Sequence, residues 1–316
     1  MPPIPTPRRT WSRLVAPLSV AAIAIVAIPE TSARPSALAL ADSSAVTRPD
    51  STRFSWSRDS LGGRSGELLM RALLPDADSG VAGLLSQLFG AEAAERPGVY
   101  VASATDGTPF SFVNLVPFGT KQRGRVGTYR MGEWPGERRS MSPGYQNPPG
   151  FIEVTLDNRD TKVSRHFRLR DFLTKDQASV WPKYLVLQEG LLDKLELVIR
   201  DLGGRGLQVS HMTVMSGFRT PQYNQQGVGA GGRASASRHQ YGDAADVFID
   251  NDRNGAMDDL NGDGRVDTRD ARFLAQAVER VEREHPDLVG GIGIYPANSA
   301  HGPFVHVDVR GVRARW

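Results

Sequence analysis

The sequence contains no cysteine. This absence excludes a disulfide framework, a metal site with thiolate ligands and a lipid-modified cysteine behind an export signal. A metal ion bound by this chain must therefore use imidazole nitrogens, carboxylates or other oxygen ligands.

The chain also lacks a strong excess of charge of either sign. Its 38 Lys and Arg residues nearly balance its 35 Asp and Glu residues, which gives a formal net charge of +3 over 316 residues. The basic residues are scattered along the chain, whereas proteins that bind nucleic acid usually concentrate positive charge on one face. We therefore expect no nucleic-acid partner.

The apolar run near the N terminus, residues 14–28, is short and is interrupted by Pro17. A membrane-spanning helix needs roughly 20 apolar residues. The run follows three arginines in residues 8–13 and precedes small residues that end at Ala41. This order is typical of a secretory signal peptide, so we interpret residues 1–41 as one. The predicted location is the periplasm, the cell envelope or the medium, with membrane contact only if the segment remains uncleaved.

Composition changes twice after the signal segment. Residues 42–96 are rich in Ser, Ala, Gly and Asp, which indicates a linker with short helices. Residues 97–158 contain β-branched and aromatic runs broken by Gly and Pro, which predicts a β-rich accessory region. The aromatic and proline residues of that region fit either a binding surface or a minor core. They are Trp134, Pro135, Tyr145 and Pro148.

Residues 159–316 have the patterns of an α+β domain. Leucine and valine at helical spacing predict a core-facing helix over 182–202, which Gly203 and Gly204 would end. Residues 207–215 predict a strand that leads into a loop. Helix, strand, loop and strand in this order favour an antiparallel sheet.

Two segments of this domain resemble the halves of a mononuclear zinc site. His239 stands before a glycine turn, Asp246 begins an apolar run, and His306 lies in the alternating segment 304–308. Because side chains alternate along a strand, Phe304, His306 and Asp308 should share one face. Two neutral imidazoles and one carboxylate would leave a fourth zinc position for water.

The chain resembles the zinc D-Ala-D-Ala carboxypeptidase and murein endopeptidase family, whose fold is shared with the hedgehog signalling domain. The resemblance covers roughly residues 160–316. It lies in SGFRTPQYN at 216–224, SRHQYGDAAD at 237–246, GGIGIYP at 290–296 and FVHVD at 304–308. It implies an antiparallel sheet with flanking helices, Zn²⁺ ligation by His239, Asp246 and His306, and hydrolysis of peptide bonds in peptidoglycan stems or crossbridges.

Further catalytic residues are candidates within the same blocks. Arg219 matches the family arginine that binds substrate, and its planar guanidinium suits a carboxylate; a structural ion pair is the alternative. Many family members have an acidic base two or three residues before the last zinc histidine, where this chain has Pro303 and Phe304. His301 is the preferred general base. Asp308 is the competitor, or it orients an imidazole.

A second metal signal follows Asp246 within the acidic insert 250–270. Its residues 259–270 match a calcium loop with glycine at position 6 and a helix behind it. Oxygen ligands for Ca²⁺ are expected from Asp259, Asn261, Asp263, Arg265, Asp267 and Asp270. An overlapping series, which could form a second site, comprises Asp250, Asp252, Asn254 and Asp258.

These patterns predict an exported zinc peptidase that acts on peptidoglycan stem peptides through metal-activated water. The alternative is a module without catalysis that keeps the metal fold and binds cell-wall or protein partners. The lack of the usual acidic base favours this alternative, whereas His301 and Arg219 favour the enzyme.

Overall fold

The computed structural model describes residues 70–73, 85–86, 89–103, 109–229 and 232–316. The predicted signal peptide and most of the predicted linker lie outside the described residues. The described part is a mixed α+β fold with several small sheets and few helices, which confirms the predicted class at that level. All of it belongs to one compact unit.

The first part of the chain forms two three-stranded sheets and a small hairpin. One sheet has the order β1-β3-β2, the other β4-β7-β8, and β5 pairs with β6. The strands are β1 (Met70–Leu73), β2 (Gly98–Ser103), β3 (Pro109–Asn114), β4 (Val116–Pro117), β5 (Arg125–Val126), β6 (Tyr129–Arg130), β7 (Gly150–Val154) and β8 (Lys183–Leu185). Short helices are α1 (Glu92–Glu95) and α2 (Pro135–Arg138), with 3-10 turns at Phe118–Thr120, Pro143–Tyr145 and Leu169–Phe172.

The expected boundary after residue 158 falls between two paired strands. Ile152 of β7 is opposite Leu185 of β8 in an antiparallel ladder. Both side chains are buried in one hydrophobic cluster that extends into the C-terminal sheet. The β-rich region and the rest of the chain therefore share a core.

The long helix α3 covers Glu189–Gly204. It buries the predicted leucine stripe, including Leu191, Leu195 and Leu202, and it ends at the predicted glycine pair. The predicted start at residue 182 is wrong, because residues 183–185 form β8 instead. Over so few residues, the sequence Tyr184-Leu185-Val186-Leu187 fits the periodicity of a helix as well as that of a strand. Pairing with β7 makes residues 183–185 a strand.

The C-terminal sheet has five strands in the order β13-β11-β12-β10-β9. Its elements are β9 (Met212–Ser216), α4 (Pro221–Gln225), β10 (Ala244–Ile249), α5 (Thr268–Glu284), β11 (Gly291–Tyr295), β12 (Phe304–Asp308) and β13 (Ala314–Arg315), with 3-10 turns at Arg238–Tyr241 and Pro286–Leu288. The four strands from β9 to β12 pair antiparallel, as predicted, and only β13 adds in parallel. The predicted strand 207–215 begins at Met212.

A buried lysine joins the two long helices to strand β12. Lys194 of α3 is fully buried, and its Nζ donates to Glu282 Oε1 of α5 and to the carbonyl of Asp308, each at 2.7 Å. Since a buried charge is costly without partners, this pairing fixes the position of β12 against the helices. Across the described residues, we find no helix with the length and apolarity needed to cross a bilayer.

Candidate metal centre

Four neighbouring strands bring one row of residues across the C-terminal sheet. Gly293 of β11 is opposite His306 of β12, which is opposite Asp246 of β10, which is opposite Ser216 of β9. Directly opposed residues project to the same face of a sheet. Two of the three predicted zinc ligands are therefore cross-strand neighbours, although 60 residues separate them in the chain.

The third ligand enters from the 3-10 turn Arg238–Tyr241. The turn ends at Gly242, whose φ of +69° is left-handed, and a Cβ there would lie 2.3 Å from the carbonyl oxygen of Val186. Only glycine satisfies both conditions. Gly242 thus lets the chain reverse sharply and brings His239 over the start of β10, as the sequence predicted.

The three predicted ligands converge on one point. His306 Nδ1 lies 2.9 Å from Asp246 Oδ1, and His239 Nε2 lies 3.2 Å from both of these atoms. Ligand atoms about 2.05 Å from a tetrahedral zinc ion lie roughly 3.3 Å from one another. The spacing of the three atoms therefore fits a zinc ion with two imidazole ligands and one carboxylate ligand.

The other ring nitrogen of each histidine faces a hydrogen-bond acceptor. His239 Nδ1 lies 2.7 Å from the carbonyl oxygen of Gly217, and His306 Nε2 lies 3.0 Å from Asp308 Oδ2. These acceptors place the ring protons on the outer nitrogens, so the inner nitrogens present lone pairs. Three acceptor atoms then face one another, an arrangement that a metal ion or a proton among them stabilises.

Burial and mutual contact shift the ionisation of this triad. Burial lowers the pKa of His239, which favours the neutral imidazole that a metal requires. Burial alone would raise the pKa of Asp246, but the contacts with His239 and His306 hold it well below its usual range. Burial would lower the pKa of His306, yet its hydrogen bonds to Asp246 and Asp308 raise it. Without a metal ion, His306 is thus the position that attracts a proton.

Asp308 orients His306, and both of its carboxylate oxygens already accept hydrogen bonds from the protein. It is fully buried, and besides His306 it accepts from the backbone amide of Gly291 at 2.7 Å and from Arg310 Nε at 2.9 Å. Burial would raise its pKa, but the bonds to His306 and Arg310 hold it far below the usual range. A carboxylate so held stays ionised and cannot take a proton from water. The geometry favours the orienting role over the general-base role.

Arg219 lies against the triad from the side of β9. Its Nη2 donates to Asp246 Oδ2 at 2.5 Å and its Nε to Ser216 Oγ at 2.8 Å. The hydrogen bonds of the described residues leave its Nη1 unengaged, and its side chain remains 14% exposed. Arg219 therefore combines the ion pair that the sequence left open with a guanidinium nitrogen that is free of the described hydrogen bonds.

His301 lies apart from the three ligands, in the loop before β12. Its Nδ1 is 2.8 Å from the carbonyl oxygen of Gly302, and its Nε2 is 2.8 Å from Asn298 Nδ2. Its ring packs edge-on against Phe304 at 4.8 Å between centroids. His301 thus packs against Phe304 of β12, and both of its nitrogens have local partners.

Sequence reasoning missed an aromatic rim beside the triad. We define this aromatic rim as Tyr295, His301, Phe304 and Trp316. Tyr295 stacks on Phe304 at 4.6 Å and accepts from Trp316 Nε1 at 2.7 Å, and the Trp316 ring lies 5.2 Å from the His306 ring. A Cβ on Gly293 would lie 2.4 Å from Trp316 Nε1, so the glycines of GGIGIYP make room for this indole.

Part of the β-rich region supports the turn that carries His239. Trp134 is fully buried, and its Nε1 donates to the carbonyl of Gln240 at 2.8 Å. Arg238 forms a buried ion pair with Asp243 and also donates to the carbonyl of Gly144. Trp134 is therefore core rather than binding surface, and it fixes the residue next to a predicted zinc ligand.

The expected calcium loop satisfies most of its own carboxylates. Asp259 accepts from the amides of Gly262 and Gly264, at 2.8 and 2.7 Å. Asp267 caps α5 at the amide of Arg269, 2.7 Å away. The buried carboxylate of Asp270 accepts from Leu260 N and Asp267 N at 2.8 Å each. The remaining expected ligands, Asn261, Asp263 and Arg265, are exposed.

Only two groups of acidic or histidine residues in the described part bring three ligand atoms within 4.8 Å of one another. One is the candidate zinc triad, which we define as His239, Asp246 and His306, and the other consists of Asp250, Asp252 and Asp258. The structure therefore gathers the acidic insert's carboxylates one segment before the expected calcium loop.

Comparison of the chain with family models, with curated proteins and with solved structures gave no match.

Proposed function

We propose that this chain is an exported zinc-dependent peptidase that hydrolyses peptide bonds of peptidoglycan. It would be of the D-Ala-D-Ala carboxypeptidase and murein endopeptidase type, with a hedgehog/DD-peptidase-like fold. One observation carries the proposal: the lone pairs of His239 Nε2 and His306 Nδ1 and the carboxylate Oδ1 of Asp246 converge at 2.9 to 3.2 Å. The outer atoms of all three side chains are already held by the protein. Such a set suits a catalytic zinc, which keeps one position open.

When bound, zinc lowers the pKa of water to about 7 and polarises a carbonyl group. The chain's own residues do the rest. Asp308 and the carbonyl of Gly217 hold the two imidazoles in the required tautomers. Arg219 fixes Asp246 with Nη2 and offers Nη1 to a substrate carboxylate or to the developing oxyanion.

The walls of the site suit a peptide. Arg219 lies on the side of β9, and the aromatic rim lies on the side of β11 and β13. A stem peptide has a free carboxylate that could bind Arg219 and small apolar side chains that could pack on the aromatic rim. His301 is the general base of the proposal. Its Nε2 accepts from Asn298, so it bears the lone pair that a base requires, and this lone pair becomes available when the contact with Asn298 is broken.

The alternative function is a metal-binding module that binds cell-wall or protein partners without catalysis. The local hydrogen bonds of His301 favour it, because a base that is already engaged at both nitrogens is poorly placed to accept a proton. The full metal constellation and the open donor of Arg219 favour the enzyme, because a purely structural zinc site normally has four protein ligands.

A digest distinguishes the two functions. Zinc-loaded protein is incubated with purified peptidoglycan and with defined stem peptides, and the products are identified by mass spectrometry. If the chain is an enzyme, we expect the products to gain the mass of one water at a peptide bond. This hydrolysis should stop after zinc removal and resume when zinc is added. Intact substrates in the presence of fully zinc-loaded protein would establish the binding module instead. The cleaved bond also distinguishes carboxypeptidase from endopeptidase.

A further inference from the structure

The acidic insert contains a nine-residue repeat. We define the first nonapeptide as residues 250–258 and the second nonapeptide as residues 259–267. Both have Asp at positions 1 and 9, Asp or Asn at positions 3 and 5, Gly at position 6 and an apolar residue at position 8. This order of oxygen-bearing side chains around a glycine is typical of loops that bind calcium.

The backbone repeats together with the sequence. In both nonapeptides the amide at position 6 donates to the Asp at position 1, the amide at position 5 to the side chain at position 3, and the amide at position 7 to the side chain at position 5. The pairs are Gly255 with Asp250, Asn254 with Asp252 and Ala256 with Asn254, then Gly264 with Asp259, Asp263 with Asn261 and Arg265 with Asp263. The two segments are therefore two copies of one loop.

The copies differ in how their charge is compensated. In the second nonapeptide, the guanidinium of Arg269 bridges Asp263 at 2.6 Å and Asp267 at 2.7 Å. Those are positions 5 and 9, so a side-chain cation already lies against the ligand positions. The residue nine positions before Arg269, which follows the first nonapeptide as Arg269 follows the second, is Leu260, and an apolar side chain compensates no charge.

Asp250 supplies an independent observation that points to a ligand. Its side chain is 3% exposed. Its Oδ2 accepts from Thr213 Oγ1 at 3.0 Å and from Gly255 N at 3.3 Å, but its Oδ1 is buried and has no hydrogen-bond partner. A buried carboxylate oxygen without a partner is costly. A cation at Oδ1 would remove that cost.

We propose that the first nonapeptide is a calcium site, with Asp250 Oδ1 as its buried ligand and Asp252 and Asp258 as its further carboxylates. The ligand atoms of these three residues lie within 4.8 Å of one another, and two oxygens on opposite sides of a calcium ion at 2.3–2.6 Å lie about 4.8 Å apart. Asn254 and the carbonyl of Ala256 occupy positions 5 and 7, which supply oxygens in such loops.

The site would join the ends of two strands of the C-terminal sheet. Asp250 directly follows β10, its amide donates to the carbonyl of His211, and its Oδ2 binds Thr213 on β9. Four residues along β10 separate it from Asp246, which is about 13 Å at 3.3 Å per residue. Calcium would therefore stabilise the sheet that carries the triad without touching the zinc ion, and this inference does not depend on the proposed peptidase function.

The test is a calcium titration of the full chain, zinc-loaded and at a fixed free zinc concentration, by isothermal calorimetry. Asp250→Asn removes the buried charge, and Asp252→Asn is a second variant at an exposed position that the fold tolerates. Asp259→Asn is the matched control, because it makes the same change at position 1 of the second nonapeptide. Wild type should bind calcium, and both first-nonapeptide variants should bind at least about tenfold more weakly, with Asp259→Asn within about threefold of wild type.

Thermal unfolding under the same conditions is a second readout. Calcium at about 100 times its Kd should raise the Tm of wild type by about 5 °C, and should raise the Tm of Asp252→Asn much less. Absence of calcium binding by wild type at millimolar concentration would overturn the proposal. So would unchanged affinity in Asp250→Asn and Asp252→Asn, or a loss confined to Asp259→Asn, since the latter places calcium in the second nonapeptide.

Discussion

The candidate zinc triad and the first nonapeptide are built in opposite ways. The triad joins three positions from separate elements, and the protein holds the outer atom of every ligand before a metal arrives. The first nonapeptide draws its candidate ligands from nine consecutive residues, and of its carboxylates Asp252 is exposed and Asp258 half-buried. The first site is fixed by the sheet, whereas the second depends on a loop.

This difference predicts how each site responds to change. A ligand in a rigid sheet is selective for a small ion of fixed geometry, since neighbouring elements cannot adjust. A contiguous loop with surface carboxylates suits a larger ion with flexible coordination, such as calcium. Substitutions at the triad should therefore affect metal content and activity more than stability, and substitutions in the loop should affect stability more than activity.

The largest expected effect is that of His306→Ala. It removes one zinc ligand and leaves Asp246 and Asp308 without their common partner. We expect loss of stoichiometric zinc, measured by metal analysis, and loss of peptide hydrolysis by about 10³-fold or more, as for a central member of a catalytic unit. His285→Ala, at the end of α5, is the control and should retain both. Retained zinc in His306→Ala would remove His306 from the metal site.

A smaller effect is expected from Asp308→Asn, which acts on zinc only through His306 Nε2. Loss of such an outer partner usually weakens metal binding 10- to 100-fold, and competition with a chelating dye measures this. Asp201→Asn is the matched control, because Asp201 also holds an arginine, Arg280 at 3.0 Å, but touches no ligand. Equal zinc affinity in wild type and Asp308→Asn would contradict the orienting role.

The affinities of the two candidate metal sites should depend differently on pH. The hydrogen bonds to Asp246 and Asp308 raise the pKa of His306 despite its burial, and a proton on its Nδ1 occupies the lone pair that zinc needs. Zinc affinity is therefore full above that raised pKa and falls as the pH decreases through it, beginning at higher pH than for an ordinary imidazole. Calcium binding in the first nonapeptide involves no imidazole and should change less between pH 8 and 6. Constant zinc affinity over that interval would contradict the prediction.

The smallest expected effect is that of Asp259→Asn without calcium. Asp259 is half-buried, and its backbone hydrogen bonds lower its pKa. The amides of Gly262 and Gly264 donate to different carboxylate oxygens of Asp259, so an asparagine retains one of these two acceptors. We expect a Tm change of less than about 2 °C and unaltered zinc content. A large loss of stability would show that the second nonapeptide, rather than the first, supports the sheet.

The sequence predicts the local features well. Alternation places Phe304, His306 and Asp308 on one face, and the contact between His306 and Asp308 agrees. The turn at Gly242 and the helix after the acidic insert also lie where the sequence predicts them. These features depend on residues a few positions apart, where spacing determines geometry.

Long-range features could not be predicted in the same way. The start of α3 was placed too early, since residues 183–185 become a strand only by pairing with β7. The position of Trp316 beside His306 depends on β13 joining β11. Spacing along the chain contains neither fact. The glycines of GGIGIYP are the one local signal that a bulky group lies over the sheet.

The indole of Trp134 has a consequence for the modularity of this protein. It belongs to a stretch that looks like an accessory region, yet it donates to the carbonyl beside His239 across 106 residues. The stretch therefore supports the turn that carries one of the predicted zinc ligands and is not a separate attachment. A chain cut at residue 159 would keep every predicted zinc ligand and lose the support of one of them. Recombination that exchanged this region between distant proteins would have to carry the His239 turn along with it.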